Sequence, residues 1–217
     1  MTRTGPTRTP AGRGRARLTE PFFARPVLEV APDLIGCTVV HRGTAGRIVE
    51  VEAYHQEEPA CHAFVGLTPR TSTLFGPPAV AYVYRSYGIH ALLNAVCEPE
   101  GVGAAVLIRA LRPVDGTELM RARREARGAS ASVLADRDLC SGPGRLTQAL
   151  GIELSENGTS LLSGPVSIHG RDERQEPPDV IASTRIGITK AVELPWRFSE
   201  RGEENVSRPW PWSPRQS

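Results

Sequence analysis

The stretch that decides the fold runs from residue 47 to residue 111 and holds three strand-like segments: RIVEVEAY at 47–54, YVYRSYG at 82–88 and VLIRAL at 106–111. Apolar residues alternate or run together in each, as in strands that are buried on one or both faces. Carboxylates, an arginine and tyrosines interrupt these runs, and all four tyrosines of the chain lie between positions 54 and 87. A hydrophobic core alone does not require that clustering. A pocket that stacks flat rings and carries out acid–base chemistry on them does.

Short apolar runs and turn residues extend this pattern on both sides. Many strands with short turns and a few helices predict an α+β fold, a single domain over residues 18–208 built on a curved, largely antiparallel β-sheet with a few helices and long loops around it. The basic residues 1–17 are predicted to be a disordered tail, and the proline-rich residues 209–217 a flexible one. The individual predictions are helices over 26–34, 116–127 and 145–150, strands over 35–40, 46–54, 79–84, 91–96, 103–111, 165–168 and 183–188, and a loop over 68–79.

Composition limits the class of protein. The chain has 217 residues, a net charge of only +2 and no apolar run of the roughly 18–20 residues that cross a bilayer. Residues 1–17 are basic and lack the apolar segment of a signal peptide, so we expect a soluble, cytoplasmic protein. The four cysteines form no CxxC pair and the histidines have no metal-ligand spacing, so we expect reduced thiols, no metal and no cofactor. Arginine supplies 25 of the 26 basic residues, which fits either a GC-rich genome or phosphate contacts.

Glu50 and Glu52 lie two residues apart on a predicted strand, and Tyr54 continues the same parity. Their side chains therefore share one face of the sheet. That face is either a solvent-facing edge or a site where a carboxylate activates water beside a bound ring. Arg109 interrupts a buried apolar run and needs a partner, for which Glu52 is the natural candidate.

The remaining tyrosines and one histidine leave structural and functional readings open. Tyr82 and Tyr84 share parity on their strand, and Tyr87 precedes Gly88 at a predicted turn tip. They form either a wall of the core or a base-stacking platform with an inserting wedge. His62 is either a structural residue or part of the same platform.

With these residues in place, the chain resembles the alkyladenine, or 3-methyladenine, DNA glycosylase family. The resemblance covers roughly residues 22–207, in the order of the family's motifs. Each fragment is weak alone, and together they are specific: RIVEVEAY at 47–54, PACHA at 59–63, TPR at 68–70, FGPP at 75–78, YVY at 82–84, LIRAL at 107–111, LCSGP at 139–143, RIGI at 185–188 and PWRF at 195–198.

The resemblance implies a DNA repair enzyme that flips damaged purines out of duplex DNA and hydrolyses the N-glycosidic bond. The implied substrates are 3-methyladenine and 7-methylguanine, with hypoxanthine and ethenoadenine as harder neutral cases. It implies a monomer that acts on double-stranded DNA beside the bacterial nucleoid. The implied roles are a general base and its water-holding partner at Glu52 and Arg109, a base pocket of Tyr54, His62, Tyr84, Asn94 and Ile186, intercalation by Tyr87 and Ile89, and backbone contacts from Arg70, Arg85 and Arg145.

Departures from the family pattern concern DNA contacts. Bacterial members carry arginines after the motif histidine, where this chain has Val65 and Leu67, and Thr71 replaces a usual asparagine. Either weaker duplex binding or an altered substrate preference is therefore expected. The chain's single lysine, Lys190, lies after the last motif strand and away from the motif cluster, which predicts a water-using enzyme without lyase activity. Two alternatives stay open: a catalytically weak protein that binds damaged DNA, and a small-molecule nucleoside hydrolase.

Overall fold

The computed structural model describes residues 18–86, 88–129, 134–172 and 174–212. The predicted tail at 1–17 and Tyr87, which was predicted to intercalate, lie outside these ranges. The elements within them are α1 (Glu20–Phe23), α2 (Val27–Leu34), β1 (Thr38–His41), β2 (Thr44–His55), β3 (Ala81–Ser86), β4 (His90–Val96), β5 (Ala104–Asp115), α3 (Thr117–Glu125), α4 (Pro143–Leu150), β6 (Ser167–His169), β7 (Val180–Ser183) and β8 (Arg197–Glu200).

One curled antiparallel sheet joins the strands of the described residues in the order β3-β4-β5-β2-β1-β6. The twelve-residue β2 is its centre. One edge of β2 pairs with β5, while the other pairs first with β1 and then, at Glu50–Glu52, with β8, which also pairs with β7. The predicted α+β domain with a curved antiparallel sheet is confirmed.

The two faces of the sheet have different surroundings, as strand parity requires. Val51 and Ala53 of β2 and Val106 and Ile108 of β5 belong to the main hydrophobic core, which also holds the apolar face of α2. The alternate positions on the same strands point the other way. They carry the polar and aromatic residues of the candidate site, among them Glu52 and Tyr54.

Several predicted boundaries need correction. No strand covers 183–188: β7 ends at Ser183, and the residues that follow form a loop with Gly187 at φ +77°. In this loop the backbone N–H of Ile186 donates to the carboxylate of Glu52 instead of to a neighbouring strand. The first strand begins at Thr38 rather than residue 35, after Gly36 at φ +91°. The predicted loop 68–79 contains a 3₁₀ turn at Ser72–Phe75.

The last described residues pack on the domain. The rings of Trp210 and Trp212 stack at 6.1 Å and lie against the buried Val49, Ala110 and Val206. The indole of Trp210 also donates to the carbonyl of Val206 at 3.1 Å. We call residues 206–212 the C-terminal strap. No helix in the described part of the chain is long and apolar enough to cross a membrane.

Candidate active site

One row of paired residues crosses four strands on the face opposite the main core. Tyr82 of β3 pairs with Asn94 of β4, Asn94 with Leu107 of β5, and Leu107 with Glu52 of β2. Residues that pair directly across an antiparallel ladder point to the same side of the sheet. The curl of the sheet therefore brings residues from distant parts of the sequence to a common surface, and the row extends to Arg197 of β8.

Glu52 is fully buried, and hydrogen bonds fix both of its oxygens. Oε2 accepts from the hydroxyl of Tyr54 at 2.8 Å and from Nη1 of Arg109 at 3.1 Å. Oε1 accepts from the backbone N–H of Ile186 at 2.8 Å. A carboxylate has about four acceptor positions, so these three bonds leave room for one more donor. Burial first, and then the charge of Glu52, raises the pKa of Tyr54, so its hydroxyl keeps the proton that it donates.

Glu50, by contrast, is bound by four donors. Its Oε1 accepts from Nε of Arg109 at 3.0 Å, from Nε of Arg197 at 2.7 Å and from the hydroxyl of Ser207 at 2.8 Å. Its Oε2 accepts from the backbone N–H of Ser207 at 2.8 Å. Four donors thus surround a carboxylate that is 0% exposed. Glu50 does not line the cavity described below, and its donors tie β2 to β5, β8 and Ser207, so its role is structural.

A break in the ladder lets Arg109 reach both carboxylates. The β2–β5 register passes from Ile48–Leu111 to Glu50–Ala110 and then to Val51–Ile108, so it skips one residue on each strand. Arg109 is the skipped residue on β5, and bulges of this kind re-aim a side chain beside a site. Burial alone would lower the pKa of Arg109, but Glu52 and Glu50 outweigh burial and raise it. The predicted pairing of Arg109 with Glu52 is confirmed.

Aromatic rings form a wall beside this carboxylate. The ring of Tyr84 stacks on that of Tyr82 at 5.3 Å and meets the ring of His62 edge-on at 4.6 Å. Nδ1 of His62 lies 3.1 Å from the hydroxyl of Tyr82. Burial, with the nearby charge of Arg70, lowers the pKa of His62, so the imidazole is neutral at pH 7. Burial raises the pKa of Tyr84 to about 12. The wall is therefore uncharged and rich in π-electrons.

The paired side chains of Arg185 and Glu58 pack beside Tyr54, and we call this pair, which the sequence analysis did not predict, the clamp. Arg185 donates to both oxygens of Glu58, at 2.7 and 2.9 Å, and to the carbonyl of Ala53 at 3.0 Å. Its guanidinium lies 4.7 Å from the ring centre of Tyr54 and 5.3 Å from that of Trp196. The clamp ties the loop that carries Ile186 to β2. The RIGI motif at 185–188 was the available signal, but a motif does not tell which of its side chains is buried.

A cavity of about 1040 Å³ opens on this surface. Its lining includes all but one of the predicted base-pocket and catalytic residues: Tyr54, His62, Tyr84, Asn94, Arg109 and Ile186. Glu52 is the exception, since it lies beneath Tyr54, Arg109 and Ile186. Three predicted backbone contacts, Arg70, Arg85 and Arg145, also line the cavity. Ile89 lies instead in a neighbouring groove, where its side chain is 72% exposed.

Outside this aromatic wall, the lining of the cavity is strongly basic. Among the described residues that line it, seven are arginine or lysine and none is aspartate or glutamate: the basic ones are Arg70, Arg85, Arg109, Arg124, Arg127, Arg145 and Lys190. Lys190 corrects a prediction, because sequence order suggested that it lies away from the motif cluster. The loop after β7 folds back and brings it to the wall. In the described part of the chain no group of three His, Cys, Asp or Glu side chains could hold a metal, and all four cysteines are free and buried.

Comparison with known proteins places this geometry in a family. Residues 21–204 match the model of the methylpurine-DNA glycosylase (MPG) family. The chain belongs to this family. Membership makes it a DNA glycosylase, a hydrolase of N-glycosyl compounds that acts in DNA repair.

Individual relatives agree with the family match. A protein of Rhodopseudomonas palustris (strain BisB18) is 55% identical over 194 residues, which are 89% of this chain and 92% of the relative. One of Methanoculleus marisnigri is 50% identical over 192 residues, or 86% and 96% of the two chains. One of Nitrosospira multiformis is 46% identical over 188 residues, or 87% and 92%. All three bear the provisional name 3-methyladenine DNA glycosylase.

Proposed function

We propose that the cavity binds a damaged purine flipped out of duplex DNA, and that a water molecule held by Glu52 attacks C1′ of the sugar. The observation that carries this proposal is the hydrogen bonding of Glu52. Three donors fix the orientation of the carboxylate, one acceptor position is open, and its partners Tyr54, Arg109 and Ile186 all line the cavity. A positioned carboxylate with a free acceptor site can take the proton of an attacking water.

The aromatic wall supports a base as the occupant of the cavity. We assign the flipped purine to the space between Tyr54 on one side and His62 with Tyr84 on the other. A neutral, π-rich wall favours the positively charged 3-methyladenine and 7-methylguanine through cation–π contact. The neutral hypoxanthine and ethenoadenine leave less readily, so we expect slower excision. The amide nitrogen of Asn94 is committed to the carbonyl of Tyr82 at 3.0 Å, and we assign Asn94 to discrimination against the exocyclic amine of guanine.

The charges around the cavity support a double-stranded DNA substrate. We propose that the protein binds it as a monomer. Arg70, Arg85 and Arg145 are exposed on the wall and suit phosphate contacts. We assign the filling of the gap in the duplex to Tyr87 and Ile89. The four free, buried cysteines fit the cytoplasm, where the chromosomal DNA of a bacterium lies.

A test of the mechanism compares Glu52→Gln with the unaltered protein. The variant keeps the size of the side chain but has no carboxylate to accept a proton. We expect release of free base from alkylated duplex DNA to fall by about 10²–10⁴-fold while binding to the duplex survives. Undiminished base release by Glu52→Gln would refute the assigned role. Tight duplex binding without base release in the unaltered protein would identify a damage-binding protein instead.

The position of Lys190 calls for a second test, because its exposed amine lines the same cavity. We propose that water, and not this amine, is the nucleophile, since the carboxylate that could activate water is built into the sheet. Borohydride treatment of a reacting mixture traps any Schiff base between enzyme and DNA. We expect no trapped adduct. An adduct that forms with the unaltered protein and disappears in Lys190→Gln would show a lyase route.

A further inference from the structure

An uncharged loop interrupts the basic rim of the cavity. The chain leaves the cavity wall at His62 and returns to it at Arg70. Between them, Phe64, Val65 and Leu67 are 50, 74 and 69% exposed. These three side chains lie close together in the chain between two residues that line the cavity, and clustered exposed apolar side chains mark an interaction site.

The loop is held in one shape. The side chain of Thr71 is buried, donates to the carbonyl of Gly66 at 2.9 Å and accepts from the backbone N–H of Thr68 at 2.8 Å. At its base Ala63 is buried against Gly103, where a Cβ atom would lie only 2.5 Å from that of Ala63. The base of the loop is thus fixed, and the apolar side chains project from it. A preorganised surface loses less conformational entropy when it binds.

The occupant is set by the surroundings of the loop. Arg70 follows this loop directly, lines the cavity and is exposed, so a polyanion that Arg70 binds lies beside the loop. An uncharged loop gains nothing from phosphates, but apolar side chains pack on sugars and wedge between base steps in a groove.

We propose that Val65 and Leu67 enter the groove of the bound duplex beside the flipped nucleotide and act as an apolar wedge. This inference rests on the proposed function and extends it, because it assigns part of the DNA affinity to a contact that releases no counterions.

The test is binding to a duplex that carries a tetrahydrofuran abasic-site analogue, measured at several salt concentrations. The double variant Val65→Ser, Leu67→Ser should bind about tenfold more weakly, with an unchanged slope of log K against log salt. Arg70→Gln should reduce the magnitude of that slope by about one. Val114→Ser removes a valine that is 41% exposed and does not line the cavity, and it should alter neither quantity.

Unchanged affinity of the double variant would overturn the inference. A smaller salt slope in that variant would also overturn it, because the loop would then act through the cations. Self-association of the unaltered protein that is lost in the double variant would assign the loop to a second copy of the chain. Base release from alkylated duplex by the unaltered protein is measured separately. If it occurs while the double variant binds normally, only the wedge fails, whereas its absence refutes the proposed function.

Discussion

Glu50 and Glu52 lie two residues apart on β2, but their hydrogen-bond partners give them different roles. Glu50 binds two guanidinium groups, those of Arg109 and Arg197, whereas Glu52 binds one. We predict that Glu50→Gln lowers the free energy of unfolding by about 3–5 kcal/mol, because it leaves buried positive charge without a counter-charge. Urea denaturation followed by circular dichroism measures this. Glu52→Gln is the matched variant and should lower the free energy of unfolding by less, because Arg109 still pairs with Glu50. Equal losses would contradict this division between the two carboxylates.

His62 gives the protein a dependence on pH whose sign is fixed by the direction of its pKa. In the folded state burial and Arg70 lower the pKa below the ordinary 6.5, and burial lowers that of His41 likewise. Well above pH 6.5 both histidines are neutral in the folded and in the unfolded protein, so they do not change the free energy of unfolding. Below pH 6.5 the unfolded chain binds protons first, so stability falls as pH decreases toward the folded-state pKa. We predict a smaller loss of stability between pH 7.5 and 5.5 in His62→Gln, measured by urea denaturation. An identical loss in the variant would mean that His62 is charged in the folded protein.

At the scale of elements, the C-terminal strap connects the end of the chain to the carboxylates of β2. Arg197 donates to the carbonyls of Ser207 and Pro209 at 2.9 and 3.1 Å, and Ser207 binds Glu50. Two half-buried tryptophans follow. We predict that a chain ending at residue 208 loses about 2–3 kcal/mol of unfolding free energy through the lost apolar burial. A chain ending at residue 212 is the control and should keep its stability. Equal stability of all three chains would mean that the domain ends at 208.

For the whole molecule, the sequence predicted what depends on local periodicity. Parity alone put Glu50, Glu52 and Tyr54 on one face of β2, and the burial of Arg109 required an acidic partner. The contacts that sequence analysis missed depend on pairing between distant strands. Glu52 is opposite Leu107 and next to Ile186 only because β2 pairs with β5 and the loop after β7 folds back.

The same distinction explains the wrong predictions. Residues 183–188 have a strand-like composition, yet the ladder ends at Ser183, and the backbone N–H of Ile186 binds Glu52 instead. Lys190 lies far in sequence from the motif tyrosines and close to them in the fold. Trp210 and Trp212 belong to a proline-rich segment, but the groove that receives them forms only when Val49, Ala110 and Val206 come together. No local pattern encodes such contacts.

The distribution of charge determines how the molecule as a whole responds to salt. A net charge of +2 attracts DNA weakly, so we expect the attraction to come from local groups of cations, among them the exposed ones that line the cavity: Arg70, Arg85, Arg127, Arg145 and Lys190. Each phosphate that a cation neutralises contributes about 0.9 to the slope of log K against log salt, which predicts a total slope of about −3 to −5.

Arg145→Gln should reduce the magnitude of this slope by about one. Arg201 is also exposed and, like Arg145, lies within ion-pair distance of an aspartate, but it does not line the cavity, so Arg201→Gln should leave the slope unchanged. Fluorescence anisotropy of a labelled duplex, titrated between 50 and 200 mM salt (about a fourfold range), separates the two variants. Equal effects of both would show that the DNA does not follow the cavity face.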